Sequence, residues 1–485
     1  MIGLKDPSLF HTQCYVNGEW LDADDKSVIL VDDPSNGTTI GSVPEFGPGE
    51  AHRAIEAAHE AWKPWADLQP VERGRILLKW NELIQENKED LARILTWEQG
   101  KPIAESLGEI ALGASYIPWY AEECRRAYGD VIPTPRKNVR PVTFRRPVGV
   151  VFAITPWNFP FSMITRKASP ALAAGCPVII KPASATPFSA LALAALADRA
   201  GFPAGIFNVI TGKASVLADE VAKNSKVRKI SFTGSTAVGQ QLMKQAAITV
   251  KRISMELGGN APFIVFDDAD LETAVNGAFG SKIRNAGQTC ISTNRMLVQK
   301  GIAATFTQAL VERFSQVKVG NGFEVDAIVG PLINDEAVCH CEELMRDAVG
   351  KGAKVLLGGR RTSRGGHFFE PTVLTGLTPD MRMFREEIFG PIAPIMVFGE
   401  EDEAIRLAND TPFGLASYVF TRDLSRAWRI PEALEYGLCG VNDAALAMAE
   451  VPFGGVKASG SGKEGGHEGL EDFMETRYVL MGGIN

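Results

Sequence analysis

Val148-Gly149-Val150-Val151-Phe152-Ala153-Ile154-Thr155 is a short apolar run that ends on a hydroxyl and leads into Pro156-Trp157-Asn158. Runs of the same kind recur at Pro177–Lys181, Ile206–Ile210, Lys229–Thr233 and Pro262–Phe266, with helix-like stretches between them. A strand with no polar face is buried on both sides. Helical crossovers between such strands predict βαβ units and a parallel sheet, so the fold class is α/β. Ligands of an open parallel sheet sit beyond the carboxyl ends of its strands, where residues 155–160, 181–184 and 233–239 all fall.

Working outward, a second alternating region begins after Asn260. It has a helix-like stretch at 270–286 and strand-like runs at Arg295–Gln299, Pro394–Phe398 and Ser417–Thr421. Upstream, Ile76, Trp80, Leu83, Leu91 and Ile94 keep helical spacing behind Pro70, with Asn87 as the one interruption, which predicts a long amphipathic helix over 70–97. Tyr128–Arg146, rich in Pro and Arg with Val139, Val142 and Phe144 alternating, predicts a protruding hairpin. At 485 residues the chain exceeds one ordinary core, and a length prior gives about three domains.

The apolar share of 45% and charged share of 22% are those of a folded protein. A net charge of −8 without a basic stripe excludes nucleic acid as a partner. Met1–Cys14 has no apolar core of signal-peptide type, and no apolar run reaches the ~18 residues of a membrane span, so no membrane partner and a cytoplasmic location are expected. The 7 cysteines, at 14, 124, 176, 290, 339, 341 and 439, form no disulfide framework. Cys339-His340-Cys341 lacks the spacing of zinc pairs, and no metal is expected.

Gly287-Gln288-Thr289-Cys290 puts a potential thiolate on a glycine-relieved turn, and Met255-Glu256-Leu257-Gly258-Gly259-Asn260 supplies a potential general base. Cysteine attacks carbonyls as thiolate, and a nearby carboxylate can take a proton from water or from the thiol. Gly234-Ser235-Thr236-Ala237-Val238-Gly239 follows a strand and opens a helix, so its free N–H groups can face a phosphate. The same stretch also serves as an ordinary helix cap.

Thr155-Pro156-Trp157-Asn158-Phe159-Pro160, Lys181-Pro182-Ala183-Ser184, Phe232-Thr233-Gly234-Ser235, Glu386-Glu387-Ile388-Phe389-Gly390-Pro391 and Pro452-Phe453-Gly454-Gly455 surround the Cys290/Glu256 pair in this order. As an ordered set they resemble the aldehyde dehydrogenase superfamily over essentially the whole chain. Met163–Lys167 and Lys282–Cys290 are most similar to succinate-semialdehyde dehydrogenases. The resemblance implies the aldehyde dehydrogenase fold. A Rossmann-like cofactor domain would take 1–127 and 147–255, with 434–468 returning to it. A catalytic domain would take 256–433, and a small β oligomerisation module 128–146 and 469–485, making the protein a homo-oligomer, a dimer or tetramer.

The resemblance also assigns roles. Cys290 is implied as nucleophile, Glu256 as the base that activates water, and Asn158 with the Cys290 backbone N–H as oxyanion donors. Thr155, Trp157, Lys181, Ser184, Gly234, Ser235, Gly239, Glu387 and Phe389 would hold the dinucleotide. Ser184 stands where NAD-specific members carry a Glu, so NADP is favoured, with NAD usable. Arg166 and Arg284 would clamp the carboxylate of a semialdehyde, with Met163 and Phe453 lining the tunnel. Where the family has a carboxylate-binding serine, this chain has Ala447, which keeps glutarate semialdehyde or another ω-oxo acid beside succinate semialdehyde as a candidate substrate. Ser292 replaces the second cysteine of some animal relatives, so no redox disulfide is expected there.

Overall fold

The computed structural model describes residues 2–484. Five parallel strands, Arg252–Glu256, Val227–Thr233, Val150–Ile154, Val178–Lys181 and Phe207–Val209, lie side by side in that order. The order reverses at Val150–Ile154, the switch point at which a doubly wound sheet opens a ligand crevice. An antiparallel hairpin, Cys14–Val16 with Glu19–Leu21, closes one edge, and Gly460–Ser461 closes the other.

A second sheet has 7 strands, ordered Lys354–Leu357, Thr372–Thr375, Ile392–Phe398, Thr293–Gln299, Ala261–Val265, Ala416–Phe420 and Leu438–Val441. All its pairings are parallel except that of Lys354–Leu357. Phe263, Ile264, Val265, Leu297, Val298 and Val419 are wholly buried in its core. The run at 262–266 thus belongs to this sheet, and the strand completing the first is Arg252–Glu256. Its alternating Arg252, Ser254 and Glu256 hide the apolar signal, because Ser254 and Glu256 are buried while only Arg252 faces out.

Three expectations need correction. The span 70–97 is two helices, Pro70–Glu86 and Lys88–Gln99. The Asn87 amide donates to the Leu83 carbonyl at 2.7 Å and ends the first helix, the competition with backbone bonding that asparagine offers. Residues 128–146 do not fold back as a full hairpin. Val139–Pro147 pairs along its length with Met474–Gly482, while Pro133 and Pro135 limit the upstream side to a bridge at Val131–Val142. Nor does the chain return to the first sheet from residue 434. Leu438–Val441 first extends the second sheet, and only Gly460–Ser461 reaches the first.

Candidate active site

Three residues in succession before Cys290 are left-handed: Asn285 at φ 50°, Ala286 at 55° and Gly287 at 74°. Such backbone costs a non-glycine residue on the order of 1–3 kcal/mol and persists only where neighbours impose it. At Gly287 a Cβ would stand 2.1 Å from the Gly390 carbonyl oxygen, so glycine is required. The imposing neighbours come from the other half of the molecule. Glu105 accepts from the Asn285 N–H at 2.7 Å, Gln99 donates to its side-chain oxygen at 3.0 Å, and its amide donates to the Asn158 carbonyl at 2.9 Å.

Asn158 follows the strand Val150–Ile154, and its side-chain amide donates to the Gln288 carbonyl at 2.9 Å, two residues before Cys290. Cys290 stands where two cavities meet. One, of about 240 Å³, is lined by Trp157, Asn158, Gly234, Ser235, Glu387 and Phe389. The other is a narrow space of about 30 Å³ among Tyr116, Met163, Arg166, Arg284, Ala447 and Phe453. All the sequence-predicted substrate residues therefore converge on the second cavity.

Burial dominates the electrostatics. It pushes the Cys290 thiol up to about 12, with Glu387 and Glu256 adding to the rise and Arg166 opposing it. The Glu256 carboxyl is raised well above its usual range by burial and by the charge of Glu464, against Arg166, Lys167 and Lys463. Neither Glu256 oxygen has a hydrogen-bond partner. Glu387 is raised by burial to about 8, with the Gly259 N–H at 3.0 Å and Lys282 opposing. Phe389 beside it holds a left-handed φ of 50° and meets Trp157 edge-on at 5.6 Å.

The larger cleft suits a dinucleotide. Ser235 precedes the helix Thr236–Ala246 without a side-chain cap bond, which leaves the first amides free for a phosphate. A Cβ at Gly239 would come within 2.3 Å of Leu257, so glycine lets this helix seat against the Glu256 segment. Lys181, at the end of Val178–Lys181, is lowered to about 8 by burial, with no acid against it among the described residues. That is a desolvated cation suited to an anionic ligand.

The family model described as "Aldehyde dehydrogenase family" matches residues 20–479. The chain belongs to this family. Over 485 residues it is 53% identical to 3-sulfolactaldehyde dehydrogenase of Pseudomonas putida, covering 100% of both. It is 52% identical to an Escherichia coli succinate-semialdehyde dehydrogenase named for NADP(+), covering 99% of each, and 53% identical to a Pseudomonas putida glutarate-semialdehyde dehydrogenase, also at 99% of each. A crystal structure of succinate-semialdehyde dehydrogenase from Burkholderia pseudomallei superposes with a TM-score of 0.98 at 53% identity, over 99% of this chain and 100% of that one. Betaine aldehyde dehydrogenase from Staphylococcus aureus, solved with NAD+, gives 0.95 at 37%, over 98% and 95%. The α/β aldehyde dehydrogenase fold and an oxidoreductase acting on an aldehyde are thereby established. Among the described residues no helix is long and apolar enough to cross a membrane.

The enzyme's two arginines differ in setting. Arg166 is 4% exposed and already meets Glu464, Nε to Oε2 at 2.5 Å, with its guanidinium 4.3 Å over the Phe453 ring. Lys167 shares the same carboxylate. Arg284 pairs with no acid among the described residues and lies 5.2 Å over Phe159. Glu464 escapes a sequence reading because it is a single carboxylate within Gly462-Lys463-Glu464-Gly465-Gly466. Asn285-Ala286-Gly287 did carry a signal, since Asn and Gly are the residues that tolerate left-handed backbone. Cys339 and Cys341 sit in the helix Asp335–Gly350, and no metal-ligand cluster occurs among the described residues.

Proposed function

We propose that the enzyme oxidises succinate semialdehyde to succinate, with Cys290 as nucleophile, Asn158 as oxyanion donor and Glu256 as general base. The observation that carries this reading is Cys290 at the junction of the two cavities, with a cationic pocket on one side and, on the other, a cleft lined by Trp157, Ser235, Glu387 and Phe389. Cys290 Sγ adds to the aldehyde carbon as its proton passes to a base, and the carbonyl oxygen becomes an oxyanion. The second hydrogen of the Asn158 amide and the Cys290 backbone N–H point their charge at that oxygen. A bound nicotinamide dinucleotide supplies the two-electron acceptor. Glu256 then takes a proton from water, whose oxygen attacks the thioester, releasing the acid and the thiol.

Thr155, Trp157, Lys181, Ser184, Gly234, Ser235, Gly239, Glu387 and Phe389 form the dinucleotide site in this reading, with NADP preferred. A carboxylate at position 184 would repel a 2′-phosphate, and Ser184 presents none. Ser184→Glu is expected to shift the ratio of specificity constants towards NAD by at least about tenfold, about 1.4 kcal/mol. An unchanged ratio would place Ser184 away from the ribose. The cofactor, catalytic and oligomerisation domains are proposed near the boundaries already given, except that residues 434–441 stay with the second sheet and the return to the first comes at Gly460–Ser461. A homo-oligomer is supported by the exposed ribbon of Val139–Pro147 with Met474–Gly482, because two strands alone are marginal in water. The 7 free cysteines fit a reducing cytoplasm.

For the substrate, Met163 and Phe453 shape the tunnel, and Arg284 at its side has no ion-pair partner among the described residues. Arg284→Ala is expected to cost succinate semialdehyde on the order of 2 kcal/mol more in kcat/KM than uncharged butyraldehyde, the scale for truncating one partner of a buried charge pair. Equal losses for both aldehydes would withdraw the assignment to semialdehyde acids. Glutarate semialdehyde is the second reading, favoured by Ala447, whose missing hydroxyl leaves both room and one fewer anchor at the far end. A panel of both semialdehydes, 3-sulfolactaldehyde and butyraldehyde, with each cofactor, ranks them.

A further inference from the structure

We infer that the buried Lys101–Glu109 pair, which lines neither cavity but touches the segment between them, is a positioning device that fixes Asn158 and the substrate helix relative to Cys290. This rests on the proposed role of Asn158. Lys101 and Glu109 side chains are each 1% exposed and meet at 2.6 Å. The Lys101 ammonium also donates to the Asn158 carbonyl at 2.7 Å, to which the Asn285 amide donates as well at 2.9 Å. The other Glu109 oxygen accepts from the Phe161 and Ser162 N–H groups at 2.9 and 3.1 Å, at the start of the helix Ser162–Ala174. That helix carries Met163 and Arg166.

One ion pair therefore grips the segment from Asn158 to Ser162 at both ends. Between the ends lies Phe159, with the Lys101 ammonium 4.1 Å from its ring centroid and Arg284 5.2 Å away. Both cations lie within cation–π distance of the ring. A neutral side chain at 101 would leave the Asn158 carbonyl its bond from Asn285, so the carbonyl would not be stranded. What it would lose is the fixed direction of the peptide that aims the Asn158 amide. Displacing a positioned group by about 1 Å can cost a rate up to about 100-fold.

The test is a double-mutant cycle with butyraldehyde, an uncharged aldehyde that does not report on the arginines. Lys101→Met is expected to lower kcat about 10- to 100-fold in the otherwise native enzyme. In an Asn158→Ala background it should cost less than about threefold, because the group being aimed is gone. The dissociation constant for NADP, measured by calorimetry, should move less than about twofold, since the pair hydrogen-bonds none of the residues proposed to hold the dinucleotide. A costly Asn158→Ala with a full additional loss from Lys101→Met would make the pair a support of the fold and overturn the inference alone. A silent Asn158→Ala would remove the site reading and the inference together. Should Lys101→Met fail to fold, Glu109→Gln goes through the same cycle, keeping an oxygen for the helix amides while weakening the hold on the ammonium.

Discussion

Cys290→Ser is expected to abolish aldehyde oxidation, by at least about 1,000-fold in kcat, while leaving dinucleotide affinity unchanged. A hydroxyl holds its proton far more tightly than a thiol, too tightly for a carboxylate such as Glu256 or Glu387 to ionise it. The size of Sγ and Oγ differs too little to disturb a site whose backbone is fixed by Glu105, Gln99 and Asn158. Quenching of Trp157 fluorescence on titration with NADP measures the binding half, since Trp157 lines the cleft. The native thiol makes a companion prediction about pH. Burial pushes it up to about 12, so the neutral thiol prevails in the free enzyme at neutral pH. Its alkylation by iodoacetamide should climb about tenfold per pH unit below that value, because only the thiolate reacts. Mass spectrometry of the Cys290 peptide separates it from Cys339 and Cys439. Residual oxidation by the serine variant above background would remove Cys290 from the chemistry.

The parallel core of the first sheet was legible because both faces of its strands are covered, which leaves continuous apolar runs such as Val150–Ile154 and Val178–Lys181. Arg252–Glu256 was not legible as a strand, because the polar side chains at 254 and 256 are buried and satisfy other needs than packing. Pairing partners far apart in sequence were also hidden. Periodicity marks Val139–Pro147 as extended but carries no information that its neighbour is Met474–Gly482.

At the site, the glycine-rich turns pointed to Cys290 and Glu256 because backbone geometry has a residue signature. The charges that tune them have none. Glu464 is an isolated carboxylate whose partners Arg166 and Lys167 lie in a distant element, and the Lys101–Glu109 pair, though only 8 residues apart, falls in no motif. The two arginines, equivalent by sequence, are made unequal by Glu464. Part of Arg166's charge is spent within the protein, which is why the stronger substrate effect is assigned to Arg284.

Glu256→Gln is expected to give a burst of about one reduced cofactor per active site and then to stall at the thioester, with steady turnover down at least about 100-fold. Oxidation and hydrolysis separate in this variant because only the second requires a proton to be taken from water. Burial makes the native carboxylate a better base. A carboxyl raised well above its usual range competes for a water proton far more effectively than an exposed one. Arg166, Lys167 and Lys463 oppose that rise and keep the ionised form within reach. Glutamine is a fair probe, because neither Glu256 oxygen has a hydrogen-bond partner, so the exchange breaks no contact of the fold. The melting temperature should therefore be unchanged or slightly raised, as one buried ionisable group is removed. Rapid-quench measurement of the acyl-enzyme, trapped as a Cys290 adduct, follows the stall directly. Full steady turnover would dismiss Glu256 as the base for hydrolysis, and loss of the burst itself would move its role to the deprotonation of Cys290.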